Sequence, residues 1–234
     1  MIILGIDCAS ISSCVGVLNT ECEPQILATE FKNDGLTHSQ TLLPMIEKAL
    51  GKANITAKDV DLIVLTKGPG SFTGLRIGMA TAKGLAAPFG TPVVCVSTLE
   101  AIASTANLKH QGVLCAVMDA RCNQVYNAIF KSQDGEFVRV CDDRAISIAD
   151  LEKELLKLDE PITLCGDGAK VCINNFEELR VDVAEQDVCL PQVDALCKLG
   201  LTYKNEATSP ENISPAYLRL PQASRELLKK KKEN

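Results

Sequence analysis

The chain has 234 residues, 46% apolar and 23% charged, which is globular composition with room for one or two domains and a sizeable core. The net charge of −6 divides into +3 over residues 225–234 and −9 over residues 1–224, and so acidic a body argues against independent, tight binding to a phosphate backbone. Aromatics make up 4% with no Trp, which disfavours stacking platforms for single-stranded nucleic acid, and no apolar run reaches the length of a membrane span.

The opening residues MIILGID lack a basic region and a cleavage site, so no secretory signal is read there and a cytoplasmic location is expected. The eleven Cys show no C-x-x-C spacing, and most, such as Cys95, Cys115 and Cys165, sit in apolar stretches; they read as buried free thiols in a reducing compartment. With His38 and His110 as the only histidines, no metal site is expected.

In chain order, residues 2–6, 14–18 and 26–31 are three strand candidates that can form a meander. A helical pattern over residues 38–50 precedes the continuous apolar strand DLIVLT, residues 61–66. A second helix over residues 72–87 ends at Pro88 and Gly90; strand 93–96 and helix 99–106 follow. This order predicts a mixed sheet with helices packed on it. Residues 114–118 then restart the opening pattern. LGIDCASISSCVGVL and CAVMDARCNQVYNAIF both read strand, Asp, polar turn, strand, with Asp7 and Asp119 at matching places. The spacing predicts two related lobes, residues 1–108 and a shorter 109–234. The second continues with a strand at 136–140, a helix at 148–158 and a strand at 162–165. The closing SPENISPAYLRLPQASR, rich in Pro, reads as an extended peptide over the surface as far as Pro221. The Lys229–Lys232 run reads as a solvated tail or, alternatively, a contact for RNA or an acidic partner.

Three places can carry function. Gly68-Pro-Gly-Ser-Phe-Thr-Gly74 lies at a strand-to-helix junction, where free amides can hold an anion. It fits neither a Walker nor a dinucleotide fingerprint, and the spacing favours a structural tight turn over anion binding. Asp7 and Asp119 could flank a metal–phosphate group, or each could cap its own turn. Gly166-Asp-Gly168 could admit an adenine ring beside bare backbone, or be a plain turn.

Beside these three stands the helix at 72–87. Its charged positions, Arg76 and Lys83, share one narrow edge. Leu75, Gly78, Met79, Ala82, Leu85 and Ala86 cover one side; Ile77, Ala80 and Gly84 cover much of the other. A helix apolar nearly all round must be covered nearly all round. The small-residue series Gly74, Gly78, Ala82, Ala86 admits a second helix closely, and the helix at 38–50 adds Leu42, Leu43, Ile46 and Leu50, with Pro44 inside it. Either the two helices only pack on each other, or they present Leu42, Ile46, Leu50, Leu75, Gly78, Met79, Ala82 and Leu85 to another subunit.

GPGSFTGLRIGMATAKGLA, the opening GIDCAS, MDARCNQVY and the closing PAYLRLP closely resemble the bacterial YeaZ/TsaB family, over essentially the whole chain. The resemblance implies an α/β, two-lobed actin/Hsp70-like fold with a reduced second lobe, and a part in making threonylcarbamoyladenosine beside the anticodon of tRNAs. It implies a non-catalytic subunit that pairs, through the helices at 38–50 and 72–87, with the catalytic TsaD-type paralogue or with itself. A TsaE-type ATPase joins that pair, and tRNA is met only through the complex. It implies no metal and no catalytic residue, with Asp7, Ser10, Asp119, Gly166 and Gly168 as vestigial phosphate-binding positions and ATP or ADP bound, if at all, with the partner. Thr98 and Ile102 stand where the catalytic paralogue carries its His-x-x-x-His metal ligands, and neither can replace an imidazole. The competing reading is an ATP-using enzyme of the same fold with Mg²⁺ on Asp7 and Asp119.

Overall fold

Ile2–Asp7 is the first strand, β1, and the run IILGI explains its place: a strand apolar on both faces belongs at the centre of a sheet. The computed structural model describes residues 1–23, 25–33, 38–107, 110, 112–133, 136–185 and 190–219. β1 is flanked on one side by the antiparallel β2 (Ser13–Asn19) and β3 (Ile26–Lys32), and on the other by the parallel β4 (Leu62–Gly68) and β5 (Val93–Ser97), giving the order β3-β2-β1-β4-β5. The helices α1 (His38–Lys52) and α2 (Phe72–Ala86) cover one face of this sheet.

The second lobe repeats the plan. β6 (Gly112–Asp119) is central, with antiparallel β7 (Gln124–Gln133) on one side and parallel β10 (Ile162–Cys165) on the other, as β2 and β4 flank β1. β8 (Glu136–Arg139) and β9 (Arg144–Ser147) extend β7, and the short β11 (Asp182–Val183) closes the far edge. Helices α4 (Ile148–Leu155) and α5 (Ala169–Asn175) cover one face. The repeat seen between the Asp7 and Asp119 segments is thus a repeat of topology.

Between the lobes lies α3 (Thr98–Ala106), whose burial is nearly complete. Leu99, Ile102, Ala103 and Ala106 pack on Leu114, Ala116 and Phe130 of the second sheet, while Ala101 packs among Val94, Val96 and Leu196 of the first lobe. Thr98 and Ile102 are both sealed in this contact.

The division at residue 108 holds for strands and helices only as far as β11. The chain then returns to the first lobe: α6 (Val193–Thr202) lies across the uncovered face of β1, β2, β4 and β5. Glycines permit the approach. A Cβ on Gly5 would stand 2.8 Å from Cys197 Sγ, one on Gly16 2.4 Å from Val193, and one on Gly200 2.2 Å from Val64. Burying Val193, Leu196 and Leu199 supplies about 1.5–3 kcal/mol each, so α6 belongs to the core of the first lobe.

A polar latch ties the lobes at one side. Arg139, at the end of β8, donates to Glu100 Oε2 of α3 at 2.6 Å and to Asp143 Oδ1 at 2.7 Å. Ser97 Oγ donates to Asp143 Oδ2 and Tyr203 Oη to Glu100 Oε1, each at 2.6 Å. These groups line a cavity of about 350 Å³.

Candidate functional site

The loop between β4 and α2 is pressed onto the turn that follows β1. A Cβ on Gly70 would lie 2.3 Å from the Ala9 carbonyl oxygen and one on Gly74 2.1 Å from that of Cys8. Ser71 N donates to Ala9 O at 2.6 Å, Gly74 N to Ser71 Oγ at 3.2 Å, and Cys8 Sγ to Gly74 O at 3.2 Å. The glycines serve backbone contact, and the Ser71 and Gly74 amides are engaged within the chain. The tight-turn reading of this loop stands over the anion cradle.

Asp7 is 1% exposed. Its Oδ1 accepts from Thr66 Oγ1 at 2.6 Å and from Ala9 N at 3.2 Å. Burial pushes its carboxyl up to about 6, against the smaller opposing pull of those two bonds and of His38. Ser10 Oγ lies 2.9 Å from Ser12 Oγ and accepts from Ser12 N. His38 fixes the start of α1 to this turn. Its Nε2 is 2.9 Å from the Ser10 carbonyl, which can only accept, so Nε2 donates there, and Nδ1 lies 2.7 Å from Ser13 Oγ.

Across the lobe junction, Asp119 is exposed, and its Oδ1 accepts from Arg121 N at 2.7 Å. Asp119 N donates to Asp167 Oδ1 at 3.3 Å, and the charge of Asp167 also acts on Asp7, so the two acidic turns face one another. Gly166 and Gly168 are close-packed: added Cβ atoms would stand 2.1 Å from Val117 O and 2.9 Å from Met118 C. The Asp7 carboxylate is sealed, and both its turn and the Gly166–Gly168 backbone are in contact with protein. Among the described residues no three His, Cys, Asp or Glu side chains are grouped to hold a metal ion. The described cysteines are free thiols, and burial pushes Cys14 and Cys172 up to about 12, which keeps them protonated.

The helix-pair expectation needs a correction. Leu42, Ile46, Leu50, Leu75, Met79 and Ala82 are buried in the core of this same lobe, and Gly78 is turned inward, where its Cβ would stand 2.5 Å from Cys8 Sγ. Leu85 is half-buried against that core. The small-residue track therefore admits the end of β1, and these side chains are not available to a partner. The outward strip is the other one. On α1 it holds Leu43 (47% exposed), Pro44, Glu47 and Gly51; on α2 it holds Thr73, Ala80 and Gly84, with Ile77 and Thr81 half-buried. Cβ atoms on Gly51 and Gly84 would meet nothing within 4 Å.

The closing segment makes a 3-10 turn at Pro210–Asn212, which the extended reading missed; the described residues beyond it are extended, and the segment runs over the charged edge of α2. Thr208 bridges Val93 of β5, Ile213 is buried, and Ala216 N donates to Lys67 O at 2.7 Å. Lys83 Nζ donates to Glu211 O at 3.1 Å and Arg76 Nε to Tyr217 Oη at 3.0 Å. Tyr217 stacks on Phe72 with ring centroids 4.5 Å apart, and the Arg76 guanidinium lies 3.8 Å above the Phe72 ring. Arg219 then donates to Ala120 O in the turn after β6, so this strap joins the lobes. Sequence reasoning gave the strap but not its contacts; the isolation of Arg76 and Lys83 on one edge of an otherwise apolar helix was the available signal. The Lys229–Lys232 run and Pro221 lie outside the described residues.

Two sheets of repeated topology, each with an Asp closing its central strand and joined through α3, define a two-lobed actin-like α/β protein. The family model "TsaD: tRNA N6-adenosine threonylcarbamoyltransferase" matches residues 32–227. The tRNA threonylcarbamoyladenosine biosynthesis protein TsaB of Bacillus subtilis is 29% identical, over 99% of this chain and all of that protein. Its Haemophilus influenzae counterpart is 30% identical over 78% of this chain and 80% of its own. The solved structure of YeaZ from Pseudomonas aeruginosa superposes with a TM-score of 0.79 at 26% identity, covering 93% of this chain and 99% of that one. The chain belongs to the TsaB/YeaZ family, within the TsaD-type superfamily.

Proposed function

We propose that this chain is a non-catalytic subunit of the machinery that makes tRNA threonylcarbamoyladenosine, and that it pairs with a TsaD-type catalytic relative through the outward strip of α1 and α2. The observation that carries the pairing is the strip itself: Leu43, Pro44, Ile77, Ala80 and Gly84, small or apolar, on two adjacent helices whose other faces are already buried. A strip whose α2 side is small or apolar, with Glu47 the one charged side chain named on it, lets the helices of a homologous lobe approach closely. The same strip can close on a second copy of the chain by two-fold symmetry, since an isologous contact needs only self-complementarity. A TsaE-type ATPase joins the pair, and ATP or ADP is held only together with the partner. The sealed Asp7 and close-packed Gly166 and Gly168 speak against a stand-alone ATP-using enzyme.

Co-expression with the catalytic relative tests this. Ala80→Glu and Gly84→Arg point into open space in the lone chain, so the variants fold, and co-purification is expected to be lost. Retained pairing in both variants overturns the strip. A threonylcarbamoylation assay with each subunit omitted in turn tests the role, and tight ATP–Mg²⁺ binding by the lone chain that disappears in Asp7→Ala would favour the enzyme reading.

A further inference from the structure

We propose that the cavity at the polar latch is a binding site for one free α-amino acid, its carboxylate held by Lys67 and its ammonium by Asp142 and Glu206. No residue of the α1–α2 strip lines this cavity, so the inference stands apart from the pairing reading above.

Three separate parts of the chain converge on the void. Lys67 comes from the end of β4, Asp142 from the loop after β8, and Glu206 from the turn after α6. The latch beneath them is already spent. Arg139 occupies Glu100 Oε2 and Asp143 Oδ1, while the Tyr203 and Ser97 hydroxyls occupy Glu100 Oε1 and Asp143 Oδ2. All four of these carboxylate oxygens thus hold a donor, and the Arg139 charge is consumed in doing so.

Lys67, Asp142 and Glu206 differ from that set. Among the described residues none of the three takes part in an ion pair or a side-chain hydrogen bond. Opposite charges that line one void without touching leave a gap between them, and Lys67 is half-buried, so water solvates its ammonium only in part. A zwitterion closes the gap from both ends with charge-assisted hydrogen bonds. A simple anion would meet a surplus of carboxylates, since the lining carries Glu100, Asp142, Asp143 and Glu206 against Lys67 and Arg139. A simple cation would leave Lys67 without a partner. The volume, about 350 Å³, is near the lower end of small-molecule sites, which suits a ligand of one amino acid's size and not a nucleotide. The lining also includes Val96 and Cys95, whose thiol burial pushes up to about 11 and so keeps neutral. Nothing there calls for a charged side chain, which points to an amino acid with a short, uncharged one.

Isothermal titration calorimetry of the full chain with alanine and threonine tests the site, beside alaninol, which lacks the carboxylate, and lactate, which lacks the ammonium. Saturable binding of both amino acids with a Kd of about 1 mM or tighter is expected, and alaninol and lactate are expected to bind at least about tenfold more weakly than alanine. Lys67→Met is expected to weaken alanine about tenfold or more and to abolish the preference for alanine over alaninol. Asp142→Asn combined with Glu206→Gln is expected to abolish the preference for alanine over lactate. No saturable binding of either amino acid overturns the proposal. So does alaninol or lactate bound by the wild type as tightly as alanine, or either preference surviving in the variant designed to remove it. If Lys67→Met fails to fold, the wild-type comparison of alanine with alaninol decides. Co-purification with the catalytic relative is expected to persist in these variants, because none of them alters the α1–α2 strip; its loss in folded variants would place the cavity at the pairing surface and overturn the separate site.

Discussion

Replacing Asp7 by Asn removes a charge that the fold buries completely. In the native chain this carboxyl is raised from 3.8 to about 6, mainly by desolvation, with Thr66 and Ala9 holding it down only in part. The folded state therefore holds the Asp7 proton more tightly than the unfolded chain does. The resulting stability is fully present below pH 3.8 and is lost as pH rises to about 6. The interval corresponds to about 3 kcal/mol by pH 7. The amide of Asn keeps an acceptor for Thr66 and Ala9 but brings an NH₂ group that needs a partner, at a cost of about 1–3 kcal/mol at any pH. The difference between variant and wild type at one pH thus mixes two effects, whereas its change between pH 4 and pH 7 isolates the first. Urea unfolding of both proteins across this range, with the slope m held common, measures it. Asp7→Asn is expected to gain about 2 kcal/mol relative to wild type on going from pH 4 to pH 7, part of the interval being already spent at pH 4. Parallel stability curves would refute the claim that this carboxyl is sealed.

Two glycines of α2 are expected to respond to Ala with opposite signs. Gly84 faces open space, so Gly84→Ala gains about 0.5–1 kcal/mol of helix propensity; Gly78→Ala places a methyl 2.5 Å from Cys8 Sγ and loses about 1–3 kcal/mol, both read as shifts of Tm. Arg139→Met leaves Glu100 and Asp143, 10% and 18% exposed, without their shared cation and is expected to lower stability by about 2–3 kcal/mol in denaturant titration.

The central strands of both sheets were legible because their residues form continuous apolar runs bounded by turns, and the repeat around Asp7 and Asp119 exposed the two-lobe plan; β9 (RAIS) and β11 (DV), short and half polar, carry no such run and were not read. Periodicity also found α2, but it could not say which of its two apolar sides faces inward. That choice is made by Cys8 and Leu65, whose nearness to Gly78 depends on how the loop after β4 folds onto β1. Asp7 and Asp119 occupy matching places, yet one is buried, with Thr66 of the neighbouring strand donating to it, and the other is exposed; no local pattern announces the difference. α6 escaped because its complement is not sequence-local: Val193 and Cys197 are received by gaps at Gly16 and Gly5, close to the opposite end of the chain. The Phe72–Tyr217 stack escaped for the same reason.

Because α6 covers a sheet face formed by the first strands, a ribosome making this protein leaves that face open until some hundred residues after β5 have followed. Ile3, Leu18, Leu62 and Val94 wait, wet and adhesive, for Val193, Leu196 and Leu199. The first lobe is therefore not an early-maturing unit; premature termination anywhere between β5 and Val193 leaves a hydrophobic sheet face without its cover.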